Sequence, residues 1–319
     1  MNNLIKKIDQ SVLENNKILV LGLYKPIIQS ILDFDYLAGR EPSIAGIWAG
    51  REGYEKFFWG AKEILLPVYR RAEHIPNKDS IFAAVNLFSS RRVLESVQAL
   101  LASFPSLCLI TVFAEGVPER TALRLSLEAQ QKGISIIGPA SIGMVLPETA
   151  KLGAIGGVMP DQIYKAGLYK RGRMAVLSAS GGMTNEIINI VSRSGAGVSF
   201  SLSFGGDRFP VFSPKKAFET AEADEDTEVV VYYGELGGYD EYDLIKMRED
   251  GLIKKPAICY IAGVVADIFP SSPQFGHAKA KAEDKKESAK YKRKALADAG
   301  FVVPDSFSEF VKIINEYAK

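Results

Sequence analysis

Three short segments in the second half of the chain combine residue types that can move a phosphoryl or acyl group: Ala179-Ser180-Gly181-Gly182-Met183, Gly234-Glu235-Leu236-Gly237-Gly238 and Gln274-Phe275-Gly276-His277-Ala278. Each follows an apolar, strand-like run. In an open parallel sheet, ligands bind outside the carboxyl ends of the strands, so three such ends can serve one site. A serine followed by two glycines at a helix start lets a ligand approach the backbone, and its free N–H groups favour an anion such as phosphate. A carboxylate and an imidazole from neighbouring strand ends add an acid–base or nucleophilic pair. Taken singly, each feature is also what ordinary strand-to-helix turns contain, and a lone loop histidine is commonly just packed or solvated. Their coincidence along one sheet edge is what points to chemistry.

The histidine count narrows the choice. There are two, His74 and His277, and neither has cysteines or paired carboxylates at ligand spacing, so no metal site built on several histidines is expected. The same residues allow a second chemistry, because Ser180, Glu235 and His277 occur in the Ser…acid…His order of an α/β-hydrolase triad. That elbow reads Gly-x-Ser-x-Gly, and here Ser178 stands two before Ser180. Cys108 and Cys259 each lie inside an apolar run and read as core thiols of a reducing compartment.

The elements that must position these residues alternate along the chain. Strands are expected at Lys17–Leu23, Ser43–Trp48, Glu63–Val68, Ile81–Leu87, Leu107–Phe113 and Ser135–Ile137, with helical spacing over Arg91–Ala102 and Glu119–Lys132. A second set follows, with strands at Met174–Ser178, Val198–Phe204, Glu228–Tyr233 and Pro256–Ile261. Its helices are expected at Gly182–Ser194, Pro214–Ala223, Tyr239–Asp250, Glu283–Ala299 and Phe307–Tyr317. This alternation predicts an α/β protein with two doubly wound, parallel sheets. Gly153, Gly156, Gly157, Pro160, Gly167 and Gly172 punctuate the stretch between the sets, so the domains are expected to be 1–167 and 168–319.

Composition agrees with two globular domains: 319 residues, 47% of them hydrophobic. With 39 Lys and Arg against 38 Asp and Glu, the net charge of +1 gives no field that selects nucleic acid or a membrane surface. No run approaches the ~20 uncharged apolar residues of a membrane span. The opening MNNLIKKIDQSVLENNK lacks the apolar core of a signal peptide, so a cytoplasmic protein is expected. Lys279 to Lys294 holds eight basic residues against three acids and reads as a solvated helix face. The first domain lacks a Gly-x-Gly-x-x-Gly fingerprint, since VLGLYKPI offers only Gly22. It has instead the turns Phe88-Ser89-Ser90-Arg91-Arg92, Ala114-Glu115-Gly116-Val117-Pro118 and Gly138-Pro139-Ala140-Ser141, suited to a nucleotide-like cofactor whose identity they leave open.

Together the motifs resemble a known family. LDFDYLAGREPSIAG (Leu32–Gly46), KFFWGAKEILLPVY (Lys56–Tyr69), AEGVPE (Ala114–Glu119), KGISIIGPASIG (Lys132–Gly143), SASGGMTNE (Ser178–Glu186), FGGDRFP (Phe204–Pro210), GELGG (Gly234–Gly238), QFGHA (Gln274–Ala278) and AGFVVPDSF (Ala299–Phe307) carry the likeness. The sequence resembles the succinyl-CoA synthetase α-subunit superfamily, and more closely its citrate-activating branch, the matching part of ATP-citrate lyase and citryl-CoA synthetase. The resemblance implies an N-terminal CoA-binding Rossmann-like domain followed by a flavodoxin-like ligase domain. It implies a phosphorylated histidine at His277 and a carboxylate partner at Glu235. Ser180, Gly181 and Gly182 match the helix start that holds the phosphoryl group. Ser89, Arg91, Glu115, Pro118, Pro139 and Ala140 match coenzyme A contacts. ATP and Mg²⁺ would be bound by a partner, an ATP-grasp β-type large subunit.

The chain ends at Lys319 directly after the ligase domain, so the small subunit of a citryl-CoA synthetase, serving a reductive tricarboxylic acid cycle, is the expected function on this resemblance. An ATP-citrate lyase component lacking its cleaving domain, a succinyl-CoA synthetase α subunit and a non-catalytic CoA-binding scaffold remain alternatives. Three departures stand out: Ala179 where the family has arginine, Lys279 where it has glycine after the histidine, and Val211 where it has glycine after its GGDRYP motif. Lys279 is expected to replace part of the missing positive charge beside the phosphohistidine.

Overall fold

The structure, a computed structural model, describes residues 3–319. The first half runs through α1 (Leu4–Leu13), β1 (Lys17–Leu21), α2 (Lys25–Leu37), β2 (Ile44–Trp48), β3 (Gly53–Trp59), β4 (Lys62–Tyr69), β5 (Ile81–Asn86), α3 (Ser90–Ser103), β6 (Leu109–Val112), α4 (Glu119–Lys132) and β7 (Ser135–Ile137). These strands form one seven-stranded sheet in the order β3-β4-β2-β1-β5-β6-β7. All pairs are parallel except β3 with β4. Parallel strands with helices on both faces must be apolar throughout, and the IFAAVN run of β5 is buried at every residue. The edge strand β3, GYEKFFW, buries one residue in seven, which is why its run does not read as a core strand.

The second half adds β8 (Gly143–Leu146), β9 (Ala150–Gly153), α5 (Pro160–Lys165), β10 (Met174–Ser178), α6 (Gly181–Ser194), β11 (Val198–Ser203), α7 (Pro214–Ala223), β12 (Val229–Glu235), α8 (Asp240–Glu249), β13 (Ala257–Ala262), α9 (Ala289–Asp298) and α10 (Phe307–Tyr317). Its six-stranded sheet has the order β13-β12-β10-β11-β8-β9, parallel from β13 to β11 and closed by an antiparallel hairpin. The chain is therefore a Rossmann-like unit followed by a flavodoxin-like unit, each with a point at which the strand order reverses. The hairpin β8–β9 precedes residue 168 in sequence but bonds to the second sheet in space, so division by position and division by sheet differ there. Helix α9 starts later than the charge pattern suggests. Ser288 accepts a hydrogen bond from the Tyr291 N–H and caps it, and residues 283–288 form bends and a turn.

The two units share one apolar cluster. Ile28, Ile31 and Leu32 of α2 belong to the same buried group as Met144 and Leu152 of the hairpin and Phe200 of β11. Within this seam lies Lys151, fully buried, whose Nζ donates to Ser30 Oγ at 2.8 Å and to the Gly153 carbonyl at 2.5 Å. Burial pulls its pKa down to about 7, against the opposing pull of Asp33 and Asp35. Asp35 is pushed up to about 6 by its own burial, although Ser43 donates to it through both N–H and hydroxyl.

The lysine gives a pH test with a definite sign. Between about pH 7 and the ordinary lysine value of 10.5, the folded state holds fewer protons on Lys151 than the unfolded chain does. Stability therefore rises with pH across that window, by at most about 1.4 kcal/mol per pH unit. Denaturant unfolding between pH 7 and 10 is expected to show this slope in the wild type and a flatter one in Lys151→Met; equal slopes would contradict it.

Candidate active site

Strand β10 lies at the centre of the second sheet, with β11 on one side and β12 on the other, so the carboxyl ends of all three meet where the strand order reverses. Ser178 pairs with both Ser203 and Tyr233. The Phe204 N–H donates to the Ser178 carbonyl at 2.8 Å, and the Ala179 N–H to the Tyr233 carbonyl at 3.0 Å. These bonds hold three departing turns side by side. The turn after β10 opens α6, whose N-cap is Ser180. The turn after β11 is Phe204-Gly205-Gly206-Asp207, and β12 ends on Glu235, aligned with Ala262 of β13.

Glu235 meets His277. The Nδ1–H of His277 donates to Glu235 Oε2 at 2.8 Å, with the carboxylate 13% exposed and the ring 38%. An ionised carboxylate only accepts, so it fixes the tautomer: the proton sits on Nδ1 and the lone pair on Nε2. The histidine lies in a loop without regular structure, after a short 3₁₀ turn at Val264–Ile268. Several bonds pin that loop, among them Phe275 N–H to the Ala280 carbonyl at 3.0 Å, Ala280 N–H to the His277 carbonyl at 3.1 Å, the Gln274 side chain to the same carbonyl, and Lys279 N–H to the Gly206 carbonyl at 3.3 Å. Gly206 lies against the imidazole, and a methyl group on its Cα would overlap Cγ and Cδ2. The hydrogen bond to Glu235 raises the His277 pKa; burial opposes this, and the charges of Glu235, Glu115 and Asp207 add to the rise.

One side of the pair opens on a cleft of about 340 Å³ walled by Leu236, Ala262, Val265, Phe275 and Ala280. Ser180 Oγ accepts from the Met183 N–H at 3.5 Å, as an N-cap does, and makes no hydrogen bond to His277 among the described residues. The hydrolase triad is therefore not assembled. Gly182 is exposed, and the first N–H groups of α6 are free to bind an anion.

The first unit reaches the same place. Pro139 is buried, and Ala140 has φ 55° with its N–H bonded to the Ala114 carbonyl at 2.8 Å. Gly205 packs so closely on the Pro139 carbonyl that no side chain fits there, and the Val211 N–H donates to the Gly138 carbonyl at 3.0 Å. Burial, then the charge of Glu115, push the Asp207 carboxyl up, while His277 and the Gly116 N–H pull it down. Glu115, Pro139 and Ala140 are thus brought to the His277 side of the molecule. Ser89 and Arg91 stand exposed at the start of α3, and Pro118, also exposed, precedes α4. None of these three makes a side-chain hydrogen bond to the second unit among the described residues.

Two expectations need correction. Lys279 neither reaches the anion site nor points to solvent: its side chain is 11% exposed, and its ammonium is ion-paired with Asp240 at the start of α8. Its direction follows from the backbone, because the Lys279 carbonyl packs on Gly237 and the side chain runs along Gly238. Nor is the basic run simply a solvated face. Lys292 is fully buried against Glu241, and Arg293 donates to the Ile261 carbonyl at 2.8 Å while stacking on Tyr260. The third departure, Val211, is absorbed by packing: its side chain is buried in the core of the first unit. His74 pairs with Glu52 on the exposed surface, away from all this. Gly206 and Asp207 were visible only within the FGGDRFP motif. A glycine pair directly after an apolar strand was the signal that could have singled them out.

Comparison with known proteins fits this geometry. A family model described as CoA-ligase matches residues 177–302. The probable ATP-citrate synthase subunit 1 of Neurospora crassa is 38% identical over 307 residues, covering 95% of this chain and 46% of that protein. The ATP-citrate synthase of Mus musculus is 37% identical over 305 residues, covering 94% of this chain and 28% of that one. A solved structure of ATP citrate lyase from Methanothrix soehngenii, in complex with citrate and coenzyme A, superposes with a TM-score of 0.92 at 34% identity, over 95% of this chain and 50% of that one. Residues 177–302 therefore carry a CoA-ligase domain. The chain as a whole is similar to the ATP-citrate synthases, and it spans less than half the length of the Neurospora crassa relative. Ser180, Gly181, Gly182, Glu235 and His277 all fall inside the matched CoA-ligase segment, whereas Ser89, Arg91, Glu115, Pro118, Pro139 and Ala140 precede it.

The packing of this site makes the imidazole easy to disturb. Glu235→Gln is expected to lower the His277 titration midpoint read by NMR, since a neutral amide cannot stabilise the imidazolium. Gly206→Ala is expected to lower it as well, by pushing the ring off Glu235, with an overpacking cost of about 1–3 kcal/mol. The sign follows from the raised pKa: the stabilisation is complete below the unfolded value of about 6.5 and is lost as pH rises through the folded midpoint. A midpoint unchanged in both variants would mean that the pair does not govern the ring.

Proposed function

We propose that this chain forms citryl-CoA from citrate, CoA and ATP, as the small α-type subunit of a citryl-CoA synthetase, through a phosphohistidine on His277. The observation that carries the reading is the Glu235–His277 hydrogen bond of 2.8 Å, which leaves Nε2 with a lone pair in a partly exposed ring. Nε2 attacks the γ-phosphorus of ATP, and ADP leaves. Glu235 stabilises the positive charge that the ring then carries on its Nδ1–H side. The uncapped N–H groups at Gly181 and Gly182, with the dipole of α6, hold the phosphoryl oxygens and are worth about 0.3–2 kcal/mol to an anion. A citrate carboxylate oxygen takes the phosphoryl group, the P–N bond breaks, and Nε2 recovers its lone pair. The CoA thiolate attacks the acyl carbon of citryl-phosphate, and phosphate departs.

Coenzyme A belongs, on this reading, to the carboxyl edge of the first sheet. Ser89 and Arg91 at the start of α3 suit its phosphates, because a guanidinium fork matches their oxygen geometry. Glu115, Pro118, Pro139 and Ala140 line the path toward His277, and the effect of Glu115 on the His277 and Asp207 pKa values supports that route. ATP and Mg²⁺ are presented by an ATP-grasp partner. Complexes with citrate and coenzyme A in a relative of 34% identity support the choice of acid.

Reconstitution with the ATP-grasp partner and γ-labelled ATP is expected to leave an acid-labile label on this chain. His277→Ala is expected to abolish both the label and citryl-CoA synthesis while CoA affinity stays at the wild-type level. Citryl-CoA made by His277→Ala would overturn the mechanism, and a preference for succinate over citrate would overturn the choice of acid.

A further inference from the structure

The Glu235–His277 pair depends on a fixed end to β12, and the group that fixes it comes from the basic run. Lys292, in the first half of α9, has no exposed surface. Its ammonium carries three N–H donors and no acceptor. Three oxygens surround it: the Glu235 carbonyl at 3.0 Å, the Gly237 carbonyl at 2.6 Å and the Glu241 carboxylate at 2.6 Å. Glu241, buried in α8, accepts on its other oxygen from the Tyr232 hydroxyl at 2.9 Å, three residues before Glu235 on the same strand. Burial pushes the Glu241 carboxyl up, but Lys292 and Lys279 beside it outweigh that and hold it below the usual carboxylate range. The network closes from β12 through α8 and α9 back to β12.

We propose that Lys292 is a positioning residue for the phosphoryl-accepting pair. Its ammonium holds the peptide carbonyls of Glu235 and Gly237, and so sets the direction from which the Glu235 carboxylate meets His277 Nδ1. An ion pair serving stability alone needs only the carboxylate. Here two of the three donors go to main-chain carbonyls at the point where the strand ends and the chain turns through the left-handed Gly237 and Gly238. Methionine has a similar reach and fills the volume, but it donates to neither carbonyl. The inference rests on His277 being the phosphoryl acceptor, and its test separates the two.

The test uses the full chain carrying Lys292→Met with Glu241→Leu, which removes both charges and leaves no buried ion unpaired. Two quantities are read: the His277 titration midpoint by NMR, and the rate at which label from γ-labelled ATP accumulates in the complex with the ATP-grasp partner. The double variant is expected to unfold cooperatively, to bind CoA as the wild type does, to show a lower His277 midpoint, and to accumulate label at least about tenfold more slowly. A folded double variant with the wild-type midpoint overturns the proposal, whatever its labelling rate. If the double variant does not fold, Lys292→Gln with Glu241→Gln, which keeps amide N–H donors at the turn and leaves no buried ion unpaired, is expected to give an intermediate midpoint, and a wild-type value there overturns the proposal equally. Absence of label in the wild-type complex would remove the phosphohistidine reading instead, while the midpoints would still decide the role of Lys292.

Discussion

The imidazole of His277 is confined between Gly206 on its face and Glu235 at its Nδ1 edge, and the site depends on that confinement. The loop bearing the ring has no helix or strand of its own. Bonds within it, from the Phe275 N–H to the Ala280 carbonyl and from the Ala280 N–H to the His277 carbonyl, are joined by contacts to the turn after β11, to the end of β12 and to Gly237. A charge-assisted hydrogen bond contributes about 1.5–3 kcal/mol, which is enough to hold one rotamer but not to order a loop. Close packing supplies the remainder. Glycines stand where this packing leaves a Cβ no room: Gly206 against the ring, Gly205 against the Pro139 carbonyl and Gly237 against the Lys279 carbonyl.

The same crowding joins the two units. Gly205 packs on Pro139, the Ser141 hydroxyl donates to the Ser203 carbonyl at 2.6 Å, and α2 shares its apolar cluster with the hairpin and β11. The carboxyl edge of the first sheet is therefore held at a set distance from that of the second. Glu115, an exposed residue of the first unit, is felt electrostatically at His277 because of this seam.

Much of this was legible in the sequence because the relevant signals are local. Helices Glu119–Lys132, Pro214–Ala223 and Phe307–Tyr317 and strands Ser135–Ile137 and Met174–Ser178 are bounded in the structure where periodicity and capping residues bound them. The pairing of Glu235 with His277 is not local: the family resemblance implies it, and the structure brings the two within hydrogen-bond distance. Helix α2 is harder to read because its buried face is broad: it packs on its own sheet and also joins a cluster from the other unit, and that face includes the polar Ser30 and Asp35. The four-residue strands β8 and β9 are too short to carry a period. The lysines were misread for a different reason. A run of charge looks solvated until its partners are known, and Asp240 and Glu241 lie far from Lys279 and Lys292 in the chain.

The hairpin β8–β9 also bears on how the molecule comes into being. It is translated before β10 and β11, yet its only neighbour in the second sheet is β11, and its Lys151 and Leu152 cover α2 of the unit already made. When β7 has left the ribosome the first sheet has all its strands, but α2 still lacks its cover. The hairpin has no sheet to join until residue 203 has emerged, and its edges and apolar face stay unpaired through that interval. Nascent chains halted between residues 153 and 198 would therefore be the form of this protein most in need of a chaperone.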